Sequence, residues 1–334
     1  MKSKTKYRLT REQIADLARS AFGEDCRVQE ITECRGGMFS AIYRMRRLPE
    51  GDEIVLKVGV APGAPLLTYE RDVMPTEVAC LRMIAEQTAV PVPRVLAHDF
   101  TKRRIPSNYF FMTALEGAPL SGVSKQMPPE ELRRVKADLG SYLAEIHRIK
   151  GPYYGYFTDD PAGQYHSWKT AFTHMFAQLM DDGRARRIRL PYARIERAVE
   201  RNADLLKGLT APALVNYDCH EGNVLVRQAG GHWQITGILD LERAFWGDPI
   251  ADFPAAFIFT EDIRQEPDFL NGYLRAAGTQ RAYGEKDARR YQLYRLYILT
   301  VMAVEIFRYD FLYGRLQGTW AGLQIARCLR ALER

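Results

Sequence analysis

Three runs of strand-forming residues, 28–34, 41–46 and 53–58, follow one another with six-residue gaps. This spacing limits the fold more than any other feature of the chain. Parallel neighbours need a crossover of about a dozen residues or more, so runs this close must pair as antiparallel hairpins. The second gap carries Pro49 and Gly51, residues that turn a chain. Ahead of the first run, Thr10 and Gln13 form a capping-box pattern opening a helix to about Phe22, where Gly23 can end it. Beyond the loop 61–65, Val78, Leu81, Ile84 and Ala85 fall at helical spacing with Pro75 in the first turn. Residues 95–99 and 109–115 then read as two more strands.

From about residue 117 the periodicity changes. Glu116-Gly117-Ala118-Pro119 reads as a linker, and 129–149 places Leu132, Val135, Leu139, Leu143 and Ile146 on one helical stripe. Helices also fit 168–182, 192–207, 249–259, 287–310 and 320–332. The only strand-like pieces in this half are 224–227 and 234–239, joined at Gly230-Gly231. The expected fold is α+β and bilobal: an N-terminal lobe, 1–116, on a small antiparallel sheet, and a larger, mainly helical C-terminal lobe, 117–334. A chain of 334 residues can supply a core for both.

The residues best placed for chemistry surround that C-terminal hairpin. Asp218 and Asn223 stand five positions apart just before its first strand, and Asp240 ends the second, which returns it to the same end. A carboxylate to orient and deprotonate a hydroxyl, with two oxygen ligands for Mg²⁺, is what phosphoryl transfer from a nucleotide requires. An isolated Asp and Asn would read as turn caps; the hairpin and the second Asp favour the catalytic reading. In the N-terminal half, Lys57 interrupts the apolar run 54–58, where a charge needs a reason; an edge lysine facing solvent is the plain alternative to a functional one. Gly36 and Gly37, in the segment 35–40 between two strands, would let backbone N–H groups approach phosphate; a plain hairpin turn is the alternative.

The run 216–226, then Ile238-Leu239-Asp240-Leu241-Glu242, then Gly247-Asp248-Pro249-Ile250-Ala251-Asp252-Phe253 resembles the aminoglycoside phosphotransferase family, within the wider choline-kinase-like and protein-kinase-like fold. The resemblance implies Asp218 as catalytic base, Asn223 and Asp240 as Mg²⁺ ligands, and Gly36, Gly37 and Ser40 beside the phosphates. It makes Lys57 the lysine that binds the α- and β-phosphates and pairs with a helix Glu, which is Glu77, with Glu70 as competitor. It places the purine at Met112 and at the backbone of Thr113 and Leu115, with Leu225 and Leu239 beneath the base. The implied activity is Mg²⁺-dependent transfer of the γ-phosphate of ATP or GTP to a hydroxyl of a small molecule, an aminoglycoside or other antibiotic. A kinase of a hydroxylated metabolite (a sugar or an amino alcohol) and a non-catalytic nucleotide-binding pseudokinase are the alternatives. One position departs from the family: Asn216-Tyr217-Asp218 stands where His-Gly-Asp is usual. Glu242 and Asp248 are expected to steady Asp240 and the catalytic loop, Asp252 to cap or anchor the helix from Pro249, and His147 to pack structurally.

Other classes are disfavoured. A net charge of +6 with scattered basic clusters suits solvated faces and no nucleic-acid partner. No segment approaches the ~20 apolar residues of a membrane span. Five cysteines without a C-x-x-C pair point to a reducing compartment, with neither disulfides nor zinc. Residues 1–11 are polar with no apolar run behind them, which argues against a secretory signal. The expectation is a cytoplasmic monomer or homodimer acting on a small hydroxyl-bearing molecule. A protein substrate is disfavoured because 241–246 is too short for an activation segment. For a cationic acceptor the sequence offers Asp159-Asp160, Asp181-Asp182, Glu261-Asp262, Glu305 and Asp310. The aromatic segments 153–157 and 291–297 could equally line an acceptor pocket.

Overall fold

The computed structural model describes residues 5–34, 39–71, 73–278 and 282–334. Helix α1 (Arg11–Phe22) starts at the expected capping box: Gln13 N–H donates to Thr10 Oγ1 at 3.3 Å, and Thr10 N–H to Gln13 Oε1 at 2.9 Å. Strands β1 (Arg27–Glu33), β2 (Ala41–Leu48) and β3 (Glu53–Val58) pair antiparallel in chain order. Helix α2 (Val73–Gln87) follows, with Pro75 in its first turn. Then β4 (Val95–Asp99) forms the far edge, and β5 (Tyr109–Thr113) enters between it and β3. The sheet order is β1-β2-β3-β5-β4.

Alternation along β3 sets the rest of the architecture, because successive side chains point to opposite faces. Ile54, Leu56 and Val58 join Ile14 and Leu17 of α1 and Tyr109 and Phe111 of β5 in a small core. The opposite face carries Phe110 and Met112 with Val78, Leu81 and Ile84 of α2, and these run without a break into the core of the helical part. Each such side chain contributes about 1.5–3 kcal/mol on burial, so this face binds the sheet firmly to the helices. Lys57 lies on the same face and is thereby aimed at the helical part.

The helical part contains the expected helices Pro129–Ile146, Trp168–Ala185, Tyr192–Asn202 and Glu285–Val304, and also one the periodicity missed, Pro267–Ala277. Its ends were marked, by Pro267 in the first turn and by Gly278 at φ 67° beyond the last. It packs on Pro129–Ile146 where a Cβ at Gly140 would lie 2.2 Å from Phe269 O, and one at Gly272 2.1 Å from Ala137 O. The last helix begins nine residues earlier than 320, at Phe311–Leu332, because Gly314, Gly318 and Gly322 weaken its helical signature. The segment 249–259 holds only a 3₁₀ turn and the short helix Asp252–Ala256, which stops where Phe257 leaves helical geometry.

Strands Val224–Ala229 and His232–Ile238 form the expected hairpin, with Ile238 opposite Val224. Ala118–Pro119, read from sequence as linker, pairs with it as a third strand. A second small sheet joins Gly155–Tyr156, Phe245–Gly247 and Ala213–Val215; strands of two or three residues are too short to show a period of two. Cys26, Cys34, Cys80, Cys219 and Cys328 all carry free thiols. No helix among the described residues is long and apolar enough to cross a membrane.

Candidate active site

Lys57 is only 3% exposed, and three carboxylates surround its ammonium. Nζ lies 2.6 Å from Glu77 Oε2, 2.9 Å from Asp240 Oδ1 and 3.0 Å from Glu242 Oε2. Strand alternation aims the lysine, α2 supplies Glu77, and the end of the hairpin supplies the other two. Glu70 is elsewhere, paired with Arg308 at 2.8 Å. Burial alone would push the lysine down, but Asp240, Glu242 and Glu77 outweigh it and hold the ammonium well above its usual range. One cation does not balance three carboxylates. Burial, partly offset by Lys57, and the charges of Asp240 and Glu242 raise the Glu77 carboxyl to about 8. Oxygen atoms of Glu77, Asp240 and Glu242 all lie within 4.8 Å of one another, a set able to hold a metal ion.

The loop 216–223 is braced from below. Asp252, fully buried, accepts the N–H groups of both Asn216 (2.9 Å) and Tyr217, and its Oδ2 also meets His147 Nε2 at 2.7 Å. His147 Nδ1 in turn lies 2.9 Å from the Tyr273 hydroxyl. Asp252 therefore holds the loop 216–223 as well as opening its own helix, a longer reach than the sequence indicated. Asp248, expected with Glu242 to steady Asp240 and the loop, accepts Ile250 N–H at 3.1 Å and binds Arg290 and the Tyr294 hydroxyl, each at 2.6 Å. Glu242 meets Lys57 directly.

Asn216 turns the loop: its Oδ1 accepts Asp218 N–H at 3.0 Å, while its buried Nδ2 has no partner among the described residues. Tyr217 and Asp240 both adopt left-handed backbone, φ 63° and 62°, a conformation costing about 1–3 kcal/mol for residues other than glycine. Asn223 Nδ2 donates to Asp218 O at 2.9 Å, and Leu239 N–H donates to Asn223 O at 2.8 Å. These bonds put Asp218, Asn223 and Asp240 at one end of the hairpin and leave Asn223 Oδ1, not its NH₂, available to a cation.

Asp218 Oδ2 lies 3.8 Å from Arg243 Nε, and its Oδ1 3.8 Å from His220 Nε2. Burial raises its carboxyl to about 8 against the pull of Arg243, with Asp240, Glu242 and Glu305 adding to the rise. Arg243 also binds Glu305 at 3.1 Å. Sequence reasoning missed this arginine. Its signal was a charge set between Leu241 and Ala244, both fully buried.

Met112 is buried at the end of β5. Thr113 spends its N–H on Arg94 O (2.9 Å), and Ala114 spends its own on Glu53 O (3.1 Å). The chain here can still offer a ligand the Thr113 carbonyl and the Leu115 amide. Leu225 and Leu239 are half-buried while Val224, Val226 and Ile238 are fully buried, so of these five the two leucines are the accessible ones. A Cβ on Gly237 would lie 2.6 Å from Leu115 Cδ1 and 3.4 Å from Leu225 Cδ1, which brings these two side chains together over the glycine. Ser40 is buried at the start of β2; Gly36 and Gly37 lie outside the described residues.

Residues 39–292 match the phosphotransferase enzyme family (APH). No curated protein is significantly similar to the chain. Among solved structures, a thermostable variant of aminoglycoside phosphotransferase APH(4)-Ia in ternary complex with AMP-PNP and hygromycin B is 17% identical, with TM-score 0.63 over 95% of this chain and 98% of that one. The ternary complex of APH(2")-IIa with streptomycin and ATP is 16% identical, with TM-score 0.60 over 95% and 97%. A protein from Ralstonia eutropha JMP134 described as a candidate aminoglycoside phosphotransferase is 13% identical, with TM-score 0.67 over 98% and 99%. At these identities the likeness is one of fold, the bilobal protein-kinase-like fold.

Proposed function

The chain belongs to the phosphotransferase enzyme family, and from that premise we propose that it moves the γ-phosphate of ATP or GTP to a hydroxyl of a small organic acceptor such as an antibiotic. The observation that carries this reading is the buried Lys57 ammonium facing Glu77, Asp240 and Glu242, with Asp218 one loop away. Lys57 offers its charge to the donor's phosphates while Glu77 keeps it in position. The Thr113 carbonyl and Leu115 amide meet the purine edge, and Leu225 and Leu239 cover its face.

Asp218 orients the acceptor hydroxyl and takes its proton as the oxygen bonds to the γ-phosphorus. The bond from that phosphorus to the bridging oxygen breaks, leaving a phosphate ester and a nucleoside diphosphate. Positioning and charge stabilisation supply most of the acceleration in such transfers. Asp240 and Asn223 are the oxygen donors that would hold Mg²⁺, a hard cation suited to carboxylate and amide oxygen, and when bound it offsets phosphate charge. Complexes of fold neighbours with ATP or AMP-PNP and an aminoglycoside support a nucleotide donor and a small acceptor.

Calorimetric titration of the wild type with ATP and GTP, with and without Mg²⁺, tests the reading. The expected result is Mg²⁺-dependent binding that is weakened by Lys57→Ala. Absence of nucleotide binding under both conditions refutes it.

A further inference from the structure

The connection between β3 and α2, described over residues 59–71, does not simply link the two elements. It reaches across to the helical part and is fastened there at several points. Thr68 N–H and Oγ1 bond Asp182 at 2.7 and 2.9 Å, Arg186 donates to Leu66 O at 2.7 Å, and Glu70 is buried against Arg308. Between these ties lies Tyr69. Its ring stacks on Tyr156, with centroids 5.3 Å apart and planes 13° off parallel. The Tyr156 hydroxyl lies 2.7 Å from that of Tyr297, whose ring lies 5.8 Å from Tyr217, the neighbour of Asp218. The aromatic stack therefore leads from the connection down to the catalytic loop.

Tyr69 Oη is buried and has no hydrogen-bond partner among the described residues. Arg243, Glu70, Glu305 and Arg308 are the charged groups around it. A buried hydroxyl without a partner costs stability, so a chain that keeps one invites a ligand explanation. The charges around it are already matched: Glu305 binds Arg243, and Glu70 binds Arg308. Of the other acidic residues that the sequence offered to a cationic acceptor, all but Asp159 are also engaged. Asp181, Glu261 and Asp262 pair with Arg184, Arg327 and Arg264. Asp182 is held by Thr68, and Asp160 and Asp310 accept backbone N–H groups at helix starts. Asp159 is exposed. A polycation would need several carboxylates without partners next to Asp218. Glu77, Asp240 and Glu242 are bound to Lys57 and belong to the phosphate and metal side of the cluster. The other acidic candidates, Asp159 apart, already have an ion-pair or hydrogen-bond partner.

Resting on the phosphotransferase reading, we infer that Tyr69 is a specificity residue of the acceptor site, its unpartnered hydroxyl kept for a hydroxyl of the acceptor, and that the acceptor is an uncharged, ring-bearing polyol and not a polycation. The Tyr69–Tyr156 stack gives such a ring an apolar surface, and one or two polar groups fix its orientation, the usual composition of a small-molecule pocket.

The test follows phosphate transfer from ATP to two acceptor sets, uncharged glycosides and cyclitols against hygromycin B, gentamicin and streptomycin, with the wild type and Tyr69→Phe. The expected result is transfer to an uncharged acceptor. Tyr69→Phe raises the KM for that acceptor about 3- to 10-fold, leaves the KM for ATP unchanged, and leaves the melting temperature of the ligand-free protein equal or higher. A purely structural hydroxyl would lower that melting temperature and move both KM values little. Faster transfer to an aminoglycoside than to any uncharged acceptor overturns the inference. So does an acceptor KM indifferent to Tyr69→Phe, or ATP hydrolysis with transfer to neither set. Failure of the wild type to bind or hydrolyse ATP with Mg²⁺ is a separate outcome, and it overturns the phosphotransferase reading beneath the inference.

Discussion

Replacing Asp252 by Asn tests how the loop 216–223, proposed to be catalytic, is held. The wild-type carboxylate is fully buried and accepts three donors: the N–H groups of Asn216 and Tyr217, and the His147 ring. The amide of Asn has nearly the same shape, but it presents acceptor lone pairs on one side only. Its NH₂ must face at least one N–H donor, leaving that donor buried and unpaired next to Asp218. Hydrogen bonds to a charged group contribute about 1.5–3 kcal/mol, and a stranded buried donor costs about 1–3 kcal/mol, so Asp252→Asn should lower stability by about 2–4 kcal/mol. Asp252→Ala would strand all three donors, a loss comparable with the ~5–15 kcal/mol that holds a folded protein together, so Asn is the better probe. Urea unfolding read by linear extrapolation gives the stability change, and calorimetric titration gives ATP affinity. The loop should shift while the Lys57 cluster does not, so phosphate transfer should fall at least tenfold with ATP affinity unchanged. A variant within about 0.5 kcal/mol of wild type, with wild-type turnover, would refute the idea that Asp252 positions this loop.

Three further outcomes are expected. Lys57→Ala leaves Glu77, Asp240 and Glu242 without their shared cation; nucleotide affinity should drop at least tenfold by titration, and added Mg²⁺ should stabilise this variant more than the wild type in a thermal melt. Gly272→Ala drives a methyl to 2.1 Å from Ala137 O and should cost about 1–3 kcal/mol in urea unfolding, whereas Ala at the open Gly322 position should cost little. Asp218 and Glu77 carboxyls are raised to about 8 from unfolded values near 4. The folded metal-free protein therefore binds more protons than the unfolded chain, and these groups make stability fall as pH rises from about 4 to about 8. Melting temperatures across that window should decline, and Mg²⁺ should recover most of the loss at the alkaline end.

Much of this was legible from residue order. Close strand spacing forces hairpins, and Lys57 stood out as a charge inside an apolar strand, but its two readings stayed open until alternation along β3 aimed it at the helical part. The hairpin likewise returns Asp240 to the end where Asn223 sits. The bracing was not legible, because Asp252 reaches Asn216 across 36 residues and Arg308 reaches Glu70 across 238. No local period reports such pairings. The two- and three-residue strands at 155–156, 213–215 and 245–247 escaped for the opposite reason, being too short to display any period. At Asn216, where the sequence departs from the family, the structure supplies a local substitute: Oδ1 receives Asp218 N–H, and the remaining support comes from Asp252.

In the proposed reaction Asp218 serves the acceptor and not the nucleotide. A single-turnover measurement of phosphate transfer from ATP with Mg²⁺, made on the wild type and Asp218→Asn with ATP affinity recorded on the same samples, tests it most directly. The predicted result is transfer slower by about two to four powers of ten with ATP affinity unchanged. Wild-type transfer by Asp218→Asn would contradict that role for Asp218.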